Sequence, residues 1–171
     1  LMLALDQGRS IMSCYAALSG FIDARQDHVR GRELGEAVLS ALEHGDSDAP
    51  NGRQLSERIV VIDSIALRFL ELRRFDEAKV AYQQALVLAD HPEVPTTGRA
   101  SILHQLGRVM QAERSLDEAA GYYRHSLKLW LRHHERERAA ETFHQIGVVA
   151  QLQRRFGRAS RYLRKALQLP L

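Results

Sequence analysis

A chain of 171 residues, 45% of them hydrophobic, is long enough for one domain with a real core. Its few aromatics (6%) and its wealth of Ala, Leu, Arg, Glu and Gln argue for an all-helical class, while a net charge of +3 is too mild to indicate nucleic acid. A single cysteine, Cys14, excludes an internal disulfide and a thiolate-rich metal site and fits a reducing, cytoplasmic setting. No run approaches the roughly 18 apolar residues of a membrane-spanning helix.

In chain order, the opening Leu1-Met2-Leu3-Ala4-Leu5 is apolar but lacks a basic n-region and a cleavage site, which argues against a signal peptide. Tyr15, Leu18, Ser19 and Ile22, then Gly31, Gly35, Val38 and Leu39, predict a degenerate helix pair over about residues 12–45. A plain hairpin in another register, using Leu34, Val38 and Ala41, is the alternative. Cys14 reads as a small packing residue in its first helix. His44 to Arg58 reads as a loop, because residues 45–52 concentrate turn formers without apolar periodicity.

Residues 59–92 then place Ile62, Ile65, Ala66 and Phe69 on one helical face, followed by Ala78, Tyr82, Ala85 and Leu86 on another. Residues 100–133 repeat the arrangement with Leu103, Leu106, Gly107 and Met110, then Ala119, Tyr123, Ser126 and Leu127. Gly107 and Ala119 carry so little side chain that the two helices are expected to meet backbone to backbone there. Residues 140–171 repeat it again with Phe143, Ile146, Gly147 and Ala150, then Ala159, Leu163 and Ala166. The alanines that open the second helices, Ala78, Ala119 and Ala159, set a period of about 40 residues. The excess over the common period of about 34 is expected between repeats, at residues 91–99 and 134–139.

The large-x-x-Leu-Gly and Ala-x-x-x-aromatic spacings of residues 103–123 resemble the tetratricopeptide repeat, although Leu131 stands where its closing proline belongs. The long period and the phrases His104 to Gly107 and Tyr122 to Leu127 resemble the helical sensor arrays of bacterial multidomain regulators. No phosphate-binding loop accompanies them. The resemblance implies an all-α, right-handed superhelical solenoid of antiparallel helix pairs, forming one domain over 1–171, with first helices lining a concave groove. The apolar start and the uncapped end at Gln168-Leu169-Pro170-Leu171 suggest an excised segment or self-association through the repeat ends.

By register, the resemblance assigns to the groove Ser101, His104, Gln105, Arg108 and Gln111, with Glu141, His144, Gln145, Val148 and Gln151 in the following unit. Asp63, Ser64, Leu67, Leu70 and Glu71 come from the second unit, and Ser13, Ala16, Ala17, Gly20 and Asp23 from the first. Gln and His side chains both donate and accept hydrogen bonds, which suits a peptide backbone. The opposing reading is that the repeated His and Gln are inherited by duplication and solvated. The Lys/Asn set that clamps a terminal carboxylate in chaperone-binding members is absent.

His104 and His144 at equivalent positions invite a metal, yet two imidazoles fall short of a zinc set. His133-His134 reads as a solvated turn or helix end. Arg154, Arg158, Arg161 and Lys165, reinforced by Arg155 and Arg164, form a basic stripe; a solvated convex face is favoured over nucleic acid because only Tyr162 is interleaved. No nucleophile elbow or metal-binding helix motif supports catalysis. The expected function is therefore non-catalytic recognition of a protein or peptide partner, as adaptor, scaffold or sensor, with no cofactor and no membrane. Self-association, or weak nucleic-acid binding by the last helix, is the alternative.

Overall fold

The computed structural model describes residues 2–44 and 50–169, of which residues 2–10 and Asp23 are described in their backbone alone. Residues 45–49 of the loop expected at 44–58, the side chain of Asp23 and the termini Leu1 and Pro170-Leu171 lie outside the described residues. The described residues form eight α-helices and no strand. They fall into two compact units, Leu1–Val94 and Pro95–Leu171.

The first unit holds α1 (Met2–Ala24), α2 (His28–His44), α3 (Gly52–Glu71) and α4 (Phe75–Leu88). Tyr15, Val61 and Ile65 form its buried cluster, with Met12, Leu34, Val38, Leu39, Leu42 and Phe69 packed against it. Both Gly31 and Gly35 are buried, whereas Ala41 is exposed, so the glycine register of α2 holds. Leu18 is exposed, and so is Cys14, which corrects its reading as a packing residue. A second correction concerns the expected loop at 44–58, because α3 already begins at Gly52. Asn51 caps it: its side chain accepts from the Gln54 amide at 3.0 Å, and Gln54 Oε1 accepts from the Asn51 amide at 2.9 Å. Glu93 Oε2 takes the Gly52 amide at 2.6 Å, satisfying another free donor of the first turn. The turn-rich composition of 50–52 therefore encodes a helix start.

The second unit holds α5 (Thr96–Ala112), α6 (Leu116–Arg132), α7 (Arg136–Leu152) and α8 (Phe156–Gln168). All the core positions expected of α5 and α6 are buried. The Ser126 hydroxyl, fully buried, donates to the Ala100 carbonyl at 2.7 Å, so a polar residue costs little there. The nearest neighbour of Gly107 is Tyr123: a Cβ at Gly107 would stand 2.7 Å from two ring carbons. Gly147 likewise makes room for Leu163, whose Cγ and Cδ2 would lie 2.8 Å from a Cβ. The larger residue of each pair occupies the volume that glycine vacates.

The extra period resides partly in the connection between repeats at residues 89–95, which overlaps the expected 91–99, and otherwise in the helices instead of at 134–139. Helices α5, α6 and α7 are 17 residues each, and residues 113–115 and 133–135 are the whole of the connections between them. Every such turn is built alike: Gln26, Arg73, Arg114, His134 and Arg154 take a left-handed φ of 54° to 72°. The next amide then reaches back five residues, as in Ser115 N to Met110 O at 2.9 Å and Arg155 N to Ala150 O at 2.8 Å. This geometry ends a helix while satisfying its last carbonyls. Asp76 and Glu77 open α4, and Asp117 and Glu118 open α6, where carboxylates favour the positive helix end. Glu77 is held below the usual carboxylate range first by its hydrogen bond from Arg74.

Candidate functional site

In the second unit, α5 and α7 carry the polar positions that register assigned to the groove. Ser101, Glu141, His144 and Gln151 are exposed, while Gln105, Arg108, Gln111, Gln145 and Val148 are half-buried. Two of these side chains are held by neighbours: Arg108 Nη1 donates to Gln105 Oε1 at 2.9 Å, and Tyr123 OH donates to Gln111 Oε1 at 3.0 Å. Burial pushes the Tyr123 hydroxyl far above its ordinary value, so it stays a donor. In the first unit, Asp63, Ser64, Leu67 and Leu70 are half-buried on α3, Glu71 is exposed, and Ser13, Ala16, Ala17 and Gly20 are exposed on α1.

His104 departs from the expected pattern. It is buried, its Nδ1 lies 3.0 Å from Thr142 Oγ1, and its ring meets Tyr123 edge-on with centroids 5.2 Å apart. The imidazole therefore knits α5 to α6 and α7, and its Nε2 lies 3.7 Å from Oε1 of the exposed Glu141. Burial pushes its pKa down, against an opposing pull from Glu141. His144, at the equivalent repeat position, is exposed, so the two histidines occupy unlike environments. Among the described residues no three His, Cys, Asp or Glu side chains are grouped to hold a metal.

The basic stripe is divided. Arg154 sits in the turn before α8, outside the helix, and Arg164 borders a different cleft from Arg158, Arg161 and Lys165. That second cleft, beside Phe156, Leu163 and Leu167, is apolar, with Phe156 67% and Leu167 88% exposed. Phe156 is not among the positions expected from the repeat pattern, although its spacing to Leu163 and Leu167 continues one helical face. Thr142, the partner of His104, was likewise missed: only its repeat position opposite His104 could have signalled it. His133 and His134 are exposed in the α6–α7 turn, as expected. Among the described residues no helix is long and apolar enough to cross a membrane.

Residues 98–170 match the model of the tetratricopeptide repeat family. These residues are tetratricopeptide repeats. The remainder of the chain shares the fold, because similarity to solved helical-repeat structures extends over nearly all of it. The crystal structure of BtubC from P. vanneervenii matches with a TM-score of 0.82 at 18% identity, over 98% of this chain and 66% of that one. The Rap conjugation gene regulator of plasmid pLS20, solved in complex with the Phr* peptide, matches with a TM-score of 0.75 at 17% identity, over 93% of this chain and 41% of that one. The apo form of RapI matches with a TM-score of 0.78 at 10% identity, over 92% and 54%. This chain thus spans less than two thirds of each of these structures. Among curated proteins nothing matches.

Proposed function

We propose that the second unit binds a peptide, or an extended segment of a protein partner, on the face that α5 and α7 present, without catalysing a reaction. The observation that carries this is the preset polar surface: Gln105 is fixed by Arg108 and Gln111 by Tyr123, beside the exposed Ser101 and His144. Side chains already ordered lose little entropy on binding, so the cost falls on the ligand. A fold shared with a Rap protein captured with a peptide supports the reading. In this reading the chain is an adaptor, scaffold or sensor segment of a cytoplasmic bacterial regulator. Asp63 and Leu67 offer a comparable half-buried surface on the first unit.

The test begins by panning a displayed random-peptide library on the whole chain. The enriched peptide is then titrated against the wild type and a Gln105→Ala/Arg108→Ala/Gln145→Ala variant. A loss of at least about tenfold is expected, the equivalent of about 1.4 kcal/mol. Equal affinity would move the contact off this face.

A second reading rests on the apolar cleft beside Phe156, Leu163 and Leu167, which is large enough, at ≈ 470 Å³, to receive apolar side chains of a second copy. Sedimentation velocity would then show a concentration-dependent dimer that Phe156→Glu/Leu167→Glu abolishes. A wild type that stays monomeric at high concentration would remove this reading.

A further inference from the structure

A cavity of ≈ 440 Å³ opens in the second unit between α6 and α8, above α7. Five cationic side chains line it: Arg124 from α6, Arg155 from the turn, and Arg158, Arg161 and Lys165 from α8. Their convergence has a structural cause. Positions 158, 161, 162 and 165 share one face of α8, Arg155 is fixed by the bond of its amide to the Ala150 carbonyl at 2.8 Å, and Arg124 lies on the exposed side of α6. Three separate elements therefore aim positive charge into one concavity, which a merely solvated helix face does not do.

Acidic compensation inside the cavity is slight. Among the described residues Asp117 is its one lining acid, and that carboxylate already accepts from Gln153 Nε2 at 2.9 Å and pairs with Arg155 at 3.6 Å. Arg124, Arg158 and Arg161 form no ion pair with any described residue. Like charges gathered in a concave, protein-walled space raise the local potential and draw in a counter-anion.

Shape and wall chemistry narrow the class of anion. The volume falls in the range of about 300–1,000 Å³ typical of small-molecule sites. Guanidinium groups offer forked donors matched to phosphate and carboxylate oxygens. The floor residues Ile146, Val149 and Ala150 are themselves buried, so no broad apolar strip remains to anchor a helix of a protein partner. The cations converge instead of tracking along a strand, and Tyr162 is the only aromatic among them, which disfavours a nucleic-acid polymer. At about 100° per residue, positions 146, 149, 150 and 153 of the α7 rotation lie opposite 141, 144, 148 and 151. The cavity thus lies on the face of α7 turned away from the peptide-binding face, and the two sites stand or fall separately.

We propose that this cavity binds a compact polyphosphate, a small molecule carrying two or more linked phosphate groups. The test is calorimetric titration of the whole chain with inorganic tripolyphosphate and with ATP, both without metal, at about 50 mM salt. The variants are Arg158→Ser/Arg161→Ser and the charge-matched Arg136→Ser/Arg164→Ser, whose exposed arginines lie outside the cavity; melting curves verify that each folds. Saturable 1:1 binding is expected, at least about tenfold weaker in the cavity variant, unchanged in the charge-matched one, and weakened by added salt. Tighter binding of ATP than of tripolyphosphate identifies a nucleotide; equal binding identifies the phosphate chain alone as the ligand. No saturable binding of either, or an equal loss in both variants, overturns the proposal. So does failure of both polyphosphates where an acidic peptide or a single-stranded oligonucleotide binds.

Discussion

The imidazole of His104 is locked in one tautomer by Thr142. The Thr142 hydroxyl gives its proton to the Arg138 carbonyl at 2.8 Å, so the 3.0 Å contact with His104 requires Nδ1–H as the donor. The neutral ring thus bridges α5 and α7 with Nε2 unprotonated toward Glu141. Arg108 and Arg138 nearby oppose a positive ring, Glu141 favours one, and burial, the largest influence, decides for the neutral form.

A pH dependence follows from that assignment. A histidine whose folded pKa lies below its unfolded value of 6.5 binds its proton more readily in the unfolded chain. Its contribution to stability is complete above pH 6.5 and declines as pH falls through the folded pKa. Thermal melts from pH 7.5 to 5 are expected to show the wild type losing Tm more steeply than His104→Gln, which keeps a donor for Thr142 but cannot titrate. Parallel curves would mean that the ring accepts a proton without cost.

Glycine substitutions separate close approach from helix propensity. Gly107→Ala sets a methyl against the fully buried Tyr123 ring, and an overpacking cost of about 1–3 kcal/mol is expected to outweigh the propensity gain of about 1 kcal/mol. Gly121→Ala meets nothing within 4 Å and is expected to stabilise by up to about 1 kcal/mol. Urea melts of the two variants should therefore shift in opposite directions.

The left-handed turn residues supply another contrast. Arg114, at φ 72°, bears the Cβ strain of about 1–2 kcal/mol that glycine escapes, less the added freedom of glycine in the unfolded chain. Arg114→Gly is expected to raise the midpoint by a few tenths of a kcal/mol or more. Arg73→Gly should gain less, because it also removes a guanidinium lying 5.3 Å above the Phe75 ring. Equal gains would deny that cation any stabilising part.

Much of the fold could be read from the sequence because its signal is periodic. The burial of Leu103, Leu106, Gly107 and Met110 follows from spacing alone, and the same spacing found α3, α4, α7 and α8. What spacing could not express was partner identity: that Gly107 faces Tyr123 depends on the rotation of two helices about their axes, which several residues set together. The start of α3 was hidden because Asn51 and Gly52 favour turns and helix starts alike, and the deciding Gln54 bond lies inside the helix. At the candidate site, register located Ser101, Gln105 and Arg108 at exposed or half-buried places. It misread the setting of His104, which is buried and hydrogen-bonded to Thr142 thirty-eight positions away. The basic stripe showed charge but not concavity, since Arg124 joins it only through the packing of α6, α7 and α8.

The most direct test of peptide recognition is amide chemical-shift mapping with the library-selected peptide on the isotope-labelled chain. Perturbations are expected to cluster at Ser101, Gln105, Arg108, His144, Gln145 and Val148, and to spare Arg158 and Leu167. Shifts confined to α6 and α8, with α5 silent, would contradict a binding face on α5 and α7.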